Sequence, residues 1–161
     1  MFKRLLVPLD GSRFASRALP YAVEVAQRFS TEVVLIQVIR PATAVIDAPT
    51  PIGVGPAGSE IAVQVALEAD RRNAARARRY LSRKVRAMKS RHIRASYHVL
   101  KGDIARSIIG FSEKENVDLV VMTTHGKSGL RRVVMGSVAD VVIRESRKPV
   151  LVIRPQTSSN K

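Results

Sequence analysis

The run Leu5-Leu6-Val7-Pro8-Leu9 ends in Asp10-Gly11-Ser12, and a second run, Glu32-Val33-Val34-Leu35-Ile36-Gln37-Val38-Ile39, follows one helix later. A continuous aliphatic stretch stopped by turn residues is the pattern of a strand buried on both faces, as parallel sheets require. Between the two runs, Ser12 is a good N-cap, and Ala15, Ala18, Leu19, Ala22, Val25, Ala26 and Phe29 recur at the spacing of one helical face. Strand, helix and strand form a βαβ unit whose crossover is right-handed. That unit assigns the chain to the parallel α/β class.

The rest of the chain extends the pattern. Residues 40–59 hold four prolines and three glycines, the composition of a long functional or mobile loop. Gly53-Val54-Gly55-Pro56-Ala57-Gly58 within it spells the dinucleotide fingerprint. Its context argues otherwise: no strand precedes it, Pro56 removes an amide donor, and no acid stands about 20 residues on. A helix is expected over 59–91, with Val63, Leu67, Ala74, Leu81, Val85 and Met88 as its inward stripe. A strand at 95–100 alternates as near a sheet edge, and Gly102-Asp103 caps a helix with Ile104, Ile108, Ile109 and Phe111 inward. Strand four is Asp118–Met122. Gly136-Ser137 opens a last helix reaching about Glu145, with Ser137 as cap and Asp140 at capping-box spacing, and Pro149–Ile153 is strand five. The expected fold is a single doubly wound five-stranded parallel sheet with helices on both faces, spanning residues 2–154, followed by a polar tail at 155–161.

Composition bounds the function. A chain of 161 residues has room for one core, and with aromatics at 4% that core is aliphatic. The absence of cysteine excludes disulfides, thiolate metal sites and a cysteine nucleophile. The first apolar run is too short for a signal peptide and no stretch approaches the roughly 18 apolar residues of a membrane span, so a cytoplasmic protein is expected. A net charge of +15 favours contact with phosphate or another polyanion. Much of it lies between Asp70 and Asp103, where no acid interrupts the basic residues from Arg71 to Arg94. The plain reading is a solvated helix face. The other is a polyanion-binding protein contacting RNA, DNA or anionic lipid through helix 71–94 with no nucleotide in the cleft, although no interleaved aromatics favour base stacking.

In open parallel sheets, ligands bind beyond the carboxyl ends of the strands at the switch point, which directs attention to the segments after strands one and four. After strand four comes Thr123-Thr124-His125-Gly126-Lys127-Ser128-Gly129-Leu130-Arg131-Arg132, then Gly136-Ser137 at a helix start. Glycines admit close backbone approach, helix-opening amides attract anions and the cations add charge, so phosphate is the natural guest. A Walker A loop is excluded because Val121 stands where its first glycine belongs. The histidines at 92, 98 and 125 have no metal-ligand spacing.

Val7-Pro8-Leu9-Asp10-Gly11-Ser12, Asp118-Leu119-Val120-Val121-Met122 with the glycine segment after it, and Lys148-Pro149-Val150-Leu151-Val152-Ile153 together resemble the universal stress protein family over about residues 2–154. The resemblance implies a Rossmann-like fold of the adenine nucleotide alpha hydrolase type. ATP-binding members carry glycine, two residues, glycine, nine residues, then glycine with serine or threonine. Gly126, Gly136 and Ser137 match in register, and Thr123 replaces the first glycine. Carried over by position, the resemblance implies that Pro8, Leu9 and Asp10 meet the adenosine end and that Val38 lines the adenine pocket. Met122 and Thr123 would lie by the ribose, and Gly126, Lys127, Ser128, Gly129, Gly136, Ser137 and Val138 would hold the phosphates. It further implies ATP, or AMP or ADP, with Mg2+ entering through the phosphates, and a homodimer through strand 150–153. No positioned base is visible for water at a γ-phosphate, so the reading is a nucleotide-binding regulatory module in a stress response, with ATP turnover slow if it occurs.

Overall fold

The computed structural model describes residues 2–42, 56–124 and 136–154. Strands β1 (Arg4–Pro8), β2 (Glu32–Ile39), β3 (Ala95–Lys101), β4 (Leu119–Thr123) and β5 (Val150–Ile153) form one parallel sheet in the order β3-β2-β1-β4-β5. Helices α1 (Leu19–Phe29), α2 (Pro56–Lys89), α3 (Ile104–Lys114) and α4 (Ser137–Glu145) alternate with them. The strand order reverses between β1 and β4, which defines a doubly wound sheet.

The alternation of side chains across the strands shows why both faces are apolar. Leu5 and Val7 of β1, Val33 and Leu35 of β2, and Leu119 and Val121 of β4 point to one face, packed by Ala22 and Ala26 of α1 and by Leu81, Val85 and Met88 of α2. Leu6, Val34, Ile36, Val120 and Met122 point to the other, packed by Ala105 and Ile108 of α3 and Ala139 and Val142 of α4. Each strand therefore supplies two cores at once.

Several boundaries differ from expectation for local reasons. The first helix does not run unbroken from Ala15: a short 3-10 turn occupies Ala15–Ala18, its first amide donated to Ser12 Oγ, and α1 starts at Leu19. Pro20 has no N–H to continue an earlier α-helix, so the helix restarts with proline in its first turn. Phe29, expected inward, is 44% exposed and rests edge-on against Phe2. Helix α2 begins at Pro56, which removes 56–59 from the expected loop; residues 43–55 of that loop and the tail at 155–161 lie outside the described residues. Val63 and Leu67, expected in the buried stripe, are exposed: among the described residues this part of α2 buries Ala66 and Asp70 instead, and the packing of Ala74 and Ala77 on Ile39 comes further along. Asp103 caps α3 by accepting from the Arg106 amide. At α4 the cap is Gly136, in extended backbone, and Ser137 is the first helical residue; Asp140 pairs instead with Arg144 one turn on. No helix among the described residues is long and apolar enough to cross a membrane.

The amino ends of β1 and β4 are tied by Asp118. Its Oδ2 accepts from the amides of Lys3 at 2.7 Å and Arg4 at 2.9 Å, and its own amide donates to the Arg4 carbonyl. Those amide donors hold the Asp118 carboxyl below its ordinary range. A depressed carboxyl pKa adds stability that is present above the ordinary aspartate range and lost as pH falls through the folded-state value. Asp118→Ala is expected to lower the unfolding free energy at pH 7 by about 1–2 kcal/mol. In denaturant titrations across pH, the gap to the natural chain should narrow below about pH 4.

Candidate functional site

The carboxyl ends of β1, β2 and β4 and the opening of α4 enclose a cavity of about 600 Å³, within the usual size range for small-molecule sites. From β1 and the turn after it come Pro8, Leu9 and Asp10; from β2, Gln37, Val38 and Ile39; from β4, Met122, Thr123 and Thr124; and from the start of α4, Gly136, Ser137 and Val138. All nine expected site residues that fall among the described residues thus face one space. Gly126, Lys127, Ser128 and Gly129 lie outside the described residues. The floor is apolar, made by Met122, Ile108 and Ile104, and the mouth carries Arg40, Asn73 and Arg76.

Backbone geometry explains how these pieces meet. The Leu9 amide donates to the Ile36 carbonyl and holds the chain after β1 against the end of β2. Asp10 Oδ1 then accepts from the Ser12 amide at 2.9 Å in a tight turn. Gly11 sits in that turn at φ +83°, a left-handed conformation that L side chains adopt only under strain. On the other side, the Gly136 amide donates to the Thr124 carbonyl at 2.7 Å and pins the start of α4 beside the end of β4. The Gly136 amide is therefore engaged within the chain, whereas the amides of Ser137 and Val138, in the opening turn of α4, have no backbone acceptor among the described residues and can meet a ligand. Their partial positive charge favours an anion at the α4 end of the cavity, and Arg40 and Arg76 add positive charge to its lining from β2 and α2.

Polar side chains tune the rest. The Gln37 Oε1 atom is buried with no hydrogen-bond partner among the described residues, an arrangement that a donor on a ligand would correct. Thr123 and Thr124 are 8% and 9% exposed, so a threonine replaces the motif's first glycine at a position with little spare room. Next to the Asp10 turn, Tyr80 of α2 shares a 2.8 Å hydrogen bond with Ser16. Burial pushes the Tyr80 hydroxyl above the ordinary phenol range, and the negative charge of Asp10 adds to this. Among the described residues no group of histidine, cysteine, aspartate and glutamate side chains is arranged to hold a metal ion.

Sequence reasoning missed Gln37, Asn73 and Arg76. For Gln37 a signal existed, since it is the one amide in an otherwise aliphatic strand core. Asn73 and Arg76 reach the site from α2, and nothing local separates Arg76 from its basic neighbours.

Fold and crevice define a parallel α/β protein built to take a small ligand across its topological switch point. The universal stress protein family model matches residues 1–154, and the chain belongs to that family. It is 32% identical to universal stress protein MJ0531 of Methanocaldococcus jannaschii over 155 residues, covering 96% of this chain and 83% of that one. The solved structure of MJ0577, from the same organism, superposes with a TM-score of 0.81 at 25% identity, covering 98% of this chain and 99% of that one. A universal stress protein family member from Arabidopsis thaliana, solved with AMP bound, superposes with a TM-score of 0.60 at 13% identity, covering 99% of this chain and 95% of that one.

Gln37→Leu keeps the side-chain size and removes the unpartnered oxygen. Without ligand it is expected to raise stability by about 1 kcal/mol, seen as a rise of about 2–4 °C in the thermal midpoint. A lower midpoint would show that the oxygen is already compensated.

Proposed function

We propose that this chain binds an adenine nucleotide in the crevice and works as a regulatory module of a stress response, with the bound nucleotide as its signal. The observation that carries the reading is convergence: residues chosen from four separate stretches of sequence border a single cavity. An apolar floor of Met122, Ile104 and Ile108 suits a base, Asp10 and Gln37 suit sugar hydroxyls or a ring amine, and the opening amides of α4 suit phosphate. The AMP complex of the Arabidopsis protein agrees in ligand class. ATP, with Mg2+ on its phosphates, is the proposed physiological ligand. Asp10, the only carboxylate among the described cavity residues, belongs to the sugar and base end in this reading, so the site favours holding the nucleotide over rapid hydrolysis. We also assign the protein to the cytoplasm and propose a homodimer through β5, whose outer edge has no neighbouring strand among the described residues.

Gly136→Asp separates binding from folding. Aspartate is a favoured N-cap, so α4 should form at least as well, whereas a carboxylate at this position repels a phosphate. The natural chain with ATP at about 100 times its Kd should gain roughly 2.7 kcal/mol, a rise of about 5–10 °C in midpoint. The variant should keep or exceed the ligand-free midpoint and gain nothing from ATP. Equal protection of both chains would defeat the assignment.

A further inference from the structure

A second depression, of about 780 Å³, opens beside the cavity and shares Asp10, Gln37 and Arg76 with it. Its long wall is α2, which presents Arg76, Arg79, Arg83 and Arg86 to the groove. Their spacing of three, four and three residues puts all four on one helix face, and at the α-helical rise they span about 15 Å. Arg4, Arg28, Arg72 and Arg144 each have a carboxylate partner; among the described residues these four have none. Adjacent guanidinium groups without counter-charges repel one another, and an anion laid along them removes that cost. The row is longer than one phosphate requires and suits several in succession. Among the described residues Tyr80 is the only aromatic on the wall, and its ring already carries Lys84 at 5.6 Å while its hydroxyl is bonded to Ser16. Bases therefore find no free stacking platform, and the groove is built to contact a backbone.

We infer that this groove holds the phosphodiester backbone of a short single-stranded oligonucleotide whose terminal nucleoside occupies the cavity, an inference that rests on the nucleotide reading of the cavity. Adjacency decides for this ligand over an unrelated polyanion: the groove borders the cavity, and Asp10, Gln37 and Arg76 line both. Asp10 at the seam repels phosphate but accepts from a sugar hydroxyl, so the terminal sugar lies at Asp10 and the first bridging phosphates lie beyond it, over Arg79 and Arg83.

The test is calorimetric titration of the natural chain and of Arg79→Gln/Arg83→Gln with unlabelled hexa-adenylate RNA and, separately, with ATP. Neither arginine lines the nucleotide cavity, and both are exposed with no carboxylate partner among the described residues, so the variant should fold and bind ATP within about twofold of the natural chain. The hexamer should bind the natural chain with a log–log salt slope of about −2.8 for four phosphate contacts, and saturating ATP should weaken it. The double variant should lose roughly tenfold in hexamer affinity, with a slope shallower by about 1.4. ATP binding without hexamer binding would overturn the groove and leave the nucleotide reading standing. Arginine-dependent hexamer binding with no ATP binding would instead remove the nucleotide reading and the seating of the terminal nucleoside with it. Inorganic polyphosphate binding as tightly as the hexamer, with ATP unable to compete, would also overturn the inference.

Discussion

The parallel pairing of β1 with β4, through Leu5 against Leu119 and Leu6 against Val120, is the constraint on which the site depends. These strands are remote in sequence, and the chain leaves their carboxyl ends toward opposite faces, to α1 on one side and α4 on the other. A gap between two diverging connections is a geometric consequence of that adjacency, and it is where ligands bind in sheets of this kind. The pairing is secured at the opposite end by Asp118, which bridges the amides of Lys3 and Arg4, and by Arg4, which reaches Glu32 and the Glu115 carbonyl. Structure at the amino ends of the strands thus holds open a space at their carboxyl ends.

Electrostatics divides the space. The floor is aliphatic, the α4 side offers backbone amides, and the mouth and adjoining groove are lined by arginines. The net charge of +15 is therefore not spread evenly over the fold. Part of it is concentrated on the α2 face beside the cavity, where a cationic wall raises the local concentration of anions before any specific contact forms.

The fold was readable because strands buried on both faces must be continuously apolar, as Leu5–Val7 and Val33–Ile36 are, and because Asp10-Gly11-Ser12 marks the turn between strand and helix. The α4 opening was readable from Gly136-Ser137, although not which of the two residues caps it: both types are accepted caps, and the choice is set by the hydrogen bond from Gly136 to Thr124. Periodicity misplaced Val63 and Leu67 for a different reason. It reports that a helix has an apolar face, but not whether another element stands opposite that face. Arg76 and Asn73 were illegible because their role depends on how α2 crosses the sheet, a tertiary fact with no local signature.

The most direct measurement is a two-dimensional amide NMR titration of the full chain with ATP, following Leu9, Asp10, Gln37, Val38, Thr123, Ser137 and Val138. Nucleotide held across the switch point predicts saturable shifts at both ends of the crevice, largest at the Ser137 and Val138 amides. Shifts confined to α2, or no saturable shift at the α4 opening, would contradict it.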